Sequence, residues 1–189
     1  MMIIDLLSAN QPFLLAAALV LGLLVGSFLN VVVYRLPIML QREWKQQCSE
    51  LLKVENQSTL HINSSVKYEV FNLQNPASHC RNCNHKIKPW ENVPVISYLA
   101  LRGRCSDCKS RISLRYPLVE LANGLLSALV AFTFGPNLLT LALLFFTWAL
   151  VTLTLIDFDH QLLPDSITIP LLWFGIGINA FDLGLGVSL

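Results

Sequence analysis

Residues 13–34 read FLLAAALVLGLLVGSFLNVVVY, an apolar run with no charged side chain, followed by Arg35 and Pro37. About 20 mostly apolar residues suffice for a helix to cross the hydrocarbon core. The stretch therefore predicts a membrane span, closed by Arg35 and Pro37. Composition agrees. Of the 189 residues, 54% are hydrophobic and only 13% charged, with a mean hydropathy of +0.56. A soluble domain carries about 25% charged residues. The net charge of +1 implies no polyanionic partner. A cleaved signal peptide is not expected either. Residues 1–12 lack Lys and Arg, and no A-x-A site follows the run,.

Three further apolar segments predict spans at residues 117–134, 138–156 and 167–181. Gly135-Pro136-Asn137 reads as a tight turn between two of them. A polar link, residues 157–165, separates the last two. The expected fold is an α-helical polytopic membrane protein with four transmembrane helices and a cytoplasmic zinc-binding insertion. Gly22 and Gly26, with Ser27 beside them, have the small-xxx-small spacing that lets another helix approach closely. Asn30 sits deep enough in the first span to need a partner, because unpaired polar groups in hydrocarbon are costly.

The chain divides into residues 1–36, the first span; 37–115, a polar loop domain; and 116–189, a second membrane region. Within the loop domain, residues 41–55 predict an amphipathic surface helix with Trp44, Leu51 and Leu52 on its apolar side. Residues 56–78 read as loop and short strand. Residues 79–115 hold four cysteines. No internal repeat is visible.

Every one of the 13 Lys and Arg residues lies between Arg35 and Arg115. Cytoplasmic flanks of spans are enriched in such residues. Arg35, Arg42, Lys45 and Lys53 follow the first span. Arg102, Arg104, Lys109, Arg111 and Arg115 precede the second. Residues 37–115 are therefore expected in the cytoplasm and the N-terminus outside. Alternation returns Asp157 to Asp165 to the cytoplasmic face and puts Asp182 outside.

Cys80-x2-Cys83 and Cys105-x2-Cys108 are separated by 21 residues. Two such pairs at near this spacing read as a four-thiolate zinc site. Two sulfurs from one tight turn reach one ion, and a closed four-ligand shell is structural. Arg81, Lys86, Arg104 and Lys109 would offset the anionic thiolates. His79 and His85 are nearby, but four cysteines already fill the shell. The competing readings are disulfides, disfavoured in a cytoplasmic compartment, and a redox pair, which lacks a surrounding βαβ pattern. Cys48 is left over as a plain thiol. Trp90 and Tyr98 lie among the basic residues, yet membrane orientation already explains that charge, so no nucleic-acid partner is expected.

An ionisable residue at a span end is a functional hypothesis by default. In Thr154-Leu-Ile-Asp-Phe-Asp-His-Gln-Leu-Leu-Pro-Asp165, Asp159 and Asp165 suit a solvated helix end. Asp157 follows an unbroken apolar run and is expected within the bundle. Two close carboxylates that share a proton can activate water and protonate a scissile carbonyl. Asp157 is the candidate for one of them. Asp182, on the opposite side, is rejected as the other.

The chain resembles the prepilin leader peptidases, or type IV leader peptidase family. The resemblance rests on Gly26-Ser-Phe-Leu-Asn-Val-Val-Val-Tyr-Arg-Leu-Pro37, the paired C-x2-C motifs and Lys88-Pro-Trp-Glu-Asn-Val-Pro94. It also rests on Arg115-Tyr-Pro-Leu-Val-Glu-Leu121 and Leu155-Ile-Asp-Phe-Asp-His-Gln-Leu-Leu-Pro-Asp165. These motifs occur in family order along nearly the whole chain. The resemblance implies a membrane aspartic endopeptidase of the bacterial inner membrane that is also an N-methyltransferase. It would cut the leader from prepilins or pseudopilins and methylate the new N-terminus with S-adenosylmethionine. It places the first catalytic aspartate on Asp157 and the zinc-type cysteines on Cys80, Cys83, Cys105 and Cys108. The family's second aspartate lies in a downstream G-x-G-D motif that these 189 residues do not contain. The expectation is a C-terminally truncated chain, inactive alone as a protease. The other reading is a non-catalytic membrane scaffold with a structural zinc domain. It explains the helices and cysteines but not the Asp157 cluster.

Overall fold

The structure, a computed structural model, describes residues 10–55, 71–80 and 82–180. Residues 56–70, Arg81, Phe181 and Asp182 lie outside the described residues. The elements in chain order are α1 (Gln11–Glu55), a 3-10 turn (Pro89–Asn92), α2 (Ile96–Ala100), α3 (Arg115–Phe134), α4 (Leu138–His160) and α5 (Asp165–Ala180). Three of these, α1, α3 and α4, are long and apolar enough to cross a membrane. The fourth apolar helix, α5, has 16 residues.

The first span does not close at Arg35 and Pro37. The helix runs on for 45 residues with Pro37 inside it. Proline removes one backbone donor and crowds the preceding turn. Here Pro37 is fully buried, and the Leu, Gln, Glu and Lys residues that follow favour helix. Residues 41–55 are therefore the far end of α1, not a separate surface helix. Trp44, Leu51 and Leu52 are exposed on it. At 1.5 Å per residue α1 is about 68 Å long, roughly twice a hydrocarbon core. One end must stand clear of a bilayer.

Antiparallel packing of α1 on α3 makes the centre of the fold. A Cβ on Gly22 would lie 2.7 Å from Ser127 Cβ and 2.8 Å from Gly124 Cα, and one on Gly26 would lie 2.9 Å from Glu120 Cα. The glycine pair is thus a seam of close backbone approach. Farther along, Asn30 Nδ2 donates to the Tyr116 carbonyl at 3.2 Å, the partner its depth demands. Asn123 Nδ2 donates to the Gly22 carbonyl, and Ser127 Oγ donates to the Asn123 carbonyl, each at 2.7 Å. Trp148 Nε1 brings α4 to this network by donating to Ser127 Oγ at 2.9 Å. The Phe174 ring of α5 packs against Phe145 and Phe146 of α4, with centroids 5.2 and 5.6 Å away.

The turn before α4 is built as its residues suggest. Gly135 has φ 70, and the Asn137 side chain caps the helix by accepting from the Thr140 N–H at 2.7 Å. The other end differs from the sequence reading. Asp157, Asp159 and His160 belong to the last turns of α4, and Gln161 ends it in the left-handed region. The link shrinks to residues 161–164, and Asp165 already stands in the first turn of α5.

Candidate functional site

Two matching turns present the four thiols. The Cys80 N–H donates to the His85 carbonyl and the Cys105 N–H to the Ser110 carbonyl, both at 2.9 Å. The residue after each second cysteine, Asn84 or Lys109, has φ 57 or 58. This left-handed step curls each C-x2-C back on itself. The Sγ atoms of Cys80, Cys83, Cys105 and Cys108 all lie within 4.8 Å of one another. The Cys80–Cys108 separation is 3.8 Å and the Cys83–Cys105 separation 4.0 Å. Four sulfurs about 2.3 Å from one tetrahedral zinc are about 3.8 Å apart, so the cluster fits that ion. All four are free thiols.

Fixed donors surround the sulfurs. The Asn82 and Cys83 N–H groups and the Ser110 hydroxyl pull the Cys80 thiol down. The Ser110 hydroxyl and N–H lower Cys108 to about 6. The His85 N–H pulls Cys83 the same way, but burial and the three neighbouring sulfurs outweigh it and push that thiol up to about 12. Packed thiols of such opposed acidity are what a divalent cation would unify as thiolates. Neither histidine joins them. His85 Nε2 lies 3.2 Å from Glu91 Oε2, and His79 Nδ1 lies 3.1 Å from the Ala77 carbonyl. The Lys88 N–H, the Ser106 hydroxyl and His85 hold Glu91 near 2, well below the usual carboxylate range. Lys109 Nζ donates to the Ser106 carbonyl at 2.9 Å. Cys48 is exposed and apart.

Side-chain contacts tie the loop region to the helices and the helix ends to one another. Arg35, buried in α1, donates to the Asn72 and Pro76 carbonyls at 2.9 and 2.6 Å. The Val95 N–H donates to Glu120 Oε2 of α3 at 2.8 Å. Arg115, at the start of α3, pairs with both carboxylate oxygens of Asp159 at the end of α4. The Glu120 contact was not legible in advance. Glu120, Asn123, Gly124, Ser127 and Ala131 are buried on one side of α3. Their small or polar character at helical spacing is the signal for that side in an otherwise apolar span.

The aspartates are arranged differently from the sequence expectation. Asp157 is exposed, and the neighbouring Ile156 is fully buried in its place. The buried side of α4 runs through Leu144, Thr152, Leu153 and Ile156. One residue turns a helix by about 100°, which carries Asp157 off that side. Asp159 is not simply solvated but holds Arg115. Asp165 is exposed, as expected.

A bundle of membrane-length helices with a four-thiol module and a carboxylate-bearing helix end defines an integral membrane protein with a candidate metal centre. Residues 20–134 match the family model described as Bacterial Peptidase A24 N-terminal domain, and residues 144–188 match Type IV leader peptidase family. The chain belongs to this bacterial A24 peptidase family. It is similar to a Prepilin leader peptidase/N-methyltransferase of Stutzerimonas stutzeri, 52% identical over 95% of this chain and 60% of the relative. A Pseudomonas putida protein of the same name is 52% identical over 94% of this chain and 58% of its own length. One of Neisseria gonorrhoeae is 46% identical over 92% and 58%. The chain thus spans about three fifths of the length of the curated relatives it matches. No solved structure matches it.

Proposed function

We propose that this chain forms the N-terminal part of a membrane aspartic endopeptidase that cuts the leader from type IV prepilins or pseudopilins and then N-methylates the new N-terminus. The observation that carries the reading is the position of Asp157. It lies in the last turn of an apolar helix, two residues before Asp159, whose ion pair with Arg115 joins α3 to α4. An exposed carboxylate at such a helix end can meet a substrate at the membrane surface. The names of the relatives support the same two activities.

In this reading Asp157 is one member of the carboxylate pair. Sharing a proton with a second aspartate, it takes a proton from water while its partner donates one to the scissile carbonyl. Cys80, Cys83, Cys105 and Cys108 hold a structural zinc, which supplies folding free energy to the module. S-adenosylmethionine supplies the methyl group. The helix α5 is the fourth span. The basic end of the bundle faces the cytoplasm and the N-terminus the outside of a bacterial inner membrane. The full-length protein, co-expressed with a prepilin, tests the reading. Mass spectrometry of the pilin should show loss of the leader and addition of one methyl group. An unprocessed pilin refutes it.

A further inference from the structure

We infer that the 3-10 turn and α2 form a foot resting in the lipid leaflet at the basic end of the bundle, with Trp90, Ile96 and Leu99 as its apolar sole. Depth is the first argument. The Val95 N–H reaches Glu120 Oε2 at 2.8 Å. Glu120 lies five residues into α3, about 7.5 Å along it. A 20-residue helix is about 30 Å long, the thickness of a hydrocarbon core. The segment just before α2 is therefore held against the first turns of a helix long and apolar enough to cross a membrane.

Its geometry keeps it there. Pro94 is buried, and the Ile96 N–H donates back to the Pro94 carbonyl at 2.5 Å across Val95, whose φ and ψ are 57° and −45°. This is a three-residue turn in its rare, strained form. A β-branched residue adopts it only when its surroundings enforce it, and the Glu120 carboxylate accepts from the N–H of that same residue.

Exposure is the second argument. Trp90, Ile96 and Leu99 are 68%, 67% and 69% exposed. Ile96 and Leu99, three apart, share a side of α2. In water such large apolar side chains gain nothing from burial. Held beside the start of α3, they would face lipid as the outer residues of that helix do. Charge is the third. Lys86, Lys88, Arg102 and Arg104 are exposed around the foot, and Lys88 Nζ stands 5.5 Å from the Trp90 ring centroid. A tryptophan with a cation over its ring suits the headgroup boundary, where anionic phospholipids attract lysine and arginine. The occupant is thus the phospholipid surface, not a protein. The inference rests on α3 crossing the membrane and not on the proposed chemistry.

The full-length protein in phosphatidylethanolamine–phosphatidylglycerol vesicles tests it. Acyl-brominated lipid should quench a large share of the emission that Trp90→Phe removes, and aqueous iodide should quench little of it. A nitroxide at Leu99→Cys, in a Cys48→Ser background, should collide with oxygen several-fold more, relative to a water-soluble nickel chelate, than one at Leu51→Cys. Leu51 is equally exposed but lies near the far end of α1. Equal aqueous access at both labels, or iodide-dominated quenching of Trp90, overturns the proposal. So does a Leu99 label that leaves water only when prepilin is added, because the patch would then be a protein-docking surface. Trp90→Phe adds no cysteine near the metal module, so the quenching arm stands even if the labelled variants misfold.

Discussion

Asn123 Nδ2 donates to the Gly22 carbonyl at 2.7 Å, joining two helices through residues 101 positions apart. The bond forms because Gly22 has no side chain to hold the backbones apart. Overfilling such a contact costs about 1–3 kcal/mol. Gly22→Val should therefore lower the thermal unfolding temperature of the protein in detergent. Gly177→Ala should leave it unchanged, since a Cβ there meets nothing within 4 Å. Equal behaviour of the two variants would remove the seam from the account.

The Ser127 hydroxyl donates to the Asn123 carbonyl and accepts from Trp148 Nε1. Ser127→Ala strands the indole N–H in an apolar bundle. Interhelical polar contacts of this kind are worth about 0.6–2 kcal/mol. Trp148→Phe should cost less when Ser127→Ala is already present, because the stranded donor then disappears. A double-mutant cycle on unfolding free energy measures this. Strictly additive losses would mean that the hydrogen bond carries no stability.

Much of this was legible beforehand, and the failures have physical causes. The apolar runs, the glycine seam, the need of Asn30 for a partner and the four-thiol cluster follow from local composition and spacing. The unbroken course of α1 through Pro37 does not, because burial of Pro37 outweighed the local rule that proline ends a helix. Asp157 was expected inward because it continues an apolar run. A run sets burial only to within the angle between successive residues, and Ile156 took the inner position. Glu120 was missed because its partner is a backbone N–H 25 residues away, which no side-chain pattern reveals.

Purified protein should carry one zinc per chain. The motivation is four Sγ atoms within 4.8 Å. Cys83→Ser should lower the metal content and loosen the module, because the metal contributes folding free energy. The helix seam of Gly22 and Ser127 should survive. Elemental analysis together with native alkylation decides the matter. Metal near zero with four freely alkylated thiols would sink the idea.

The last expectation concerns the aspartates. In the full-length protein, Asp157→Asn should abolish leader cleavage and leave methylation of a pre-cleaved pilin largely intact. Asparagine keeps the size of aspartate but can neither ionise nor share a proton, so the carboxylate pair loses its base. Methyl transfer needs a donor and an amine nucleophile, and neither step calls on that pair. Asp165→Asn should be mild, since Asp165 is exposed at the start of α5. Asp159→Asn should fall between the two. It breaks a partly exposed ion pair with Arg115, worth at most about 1 kcal/mol, and so disturbs the geometry around Asp157 without removing its charge. Arg115→Gln should resemble Asp159→Asn, because each removes the same contact. Cleavage rates of the four variants, each set beside its own methylation rate, separate these roles. Full protease activity in Asp157→Asn would show that the proton-accepting carboxylate lies elsewhere.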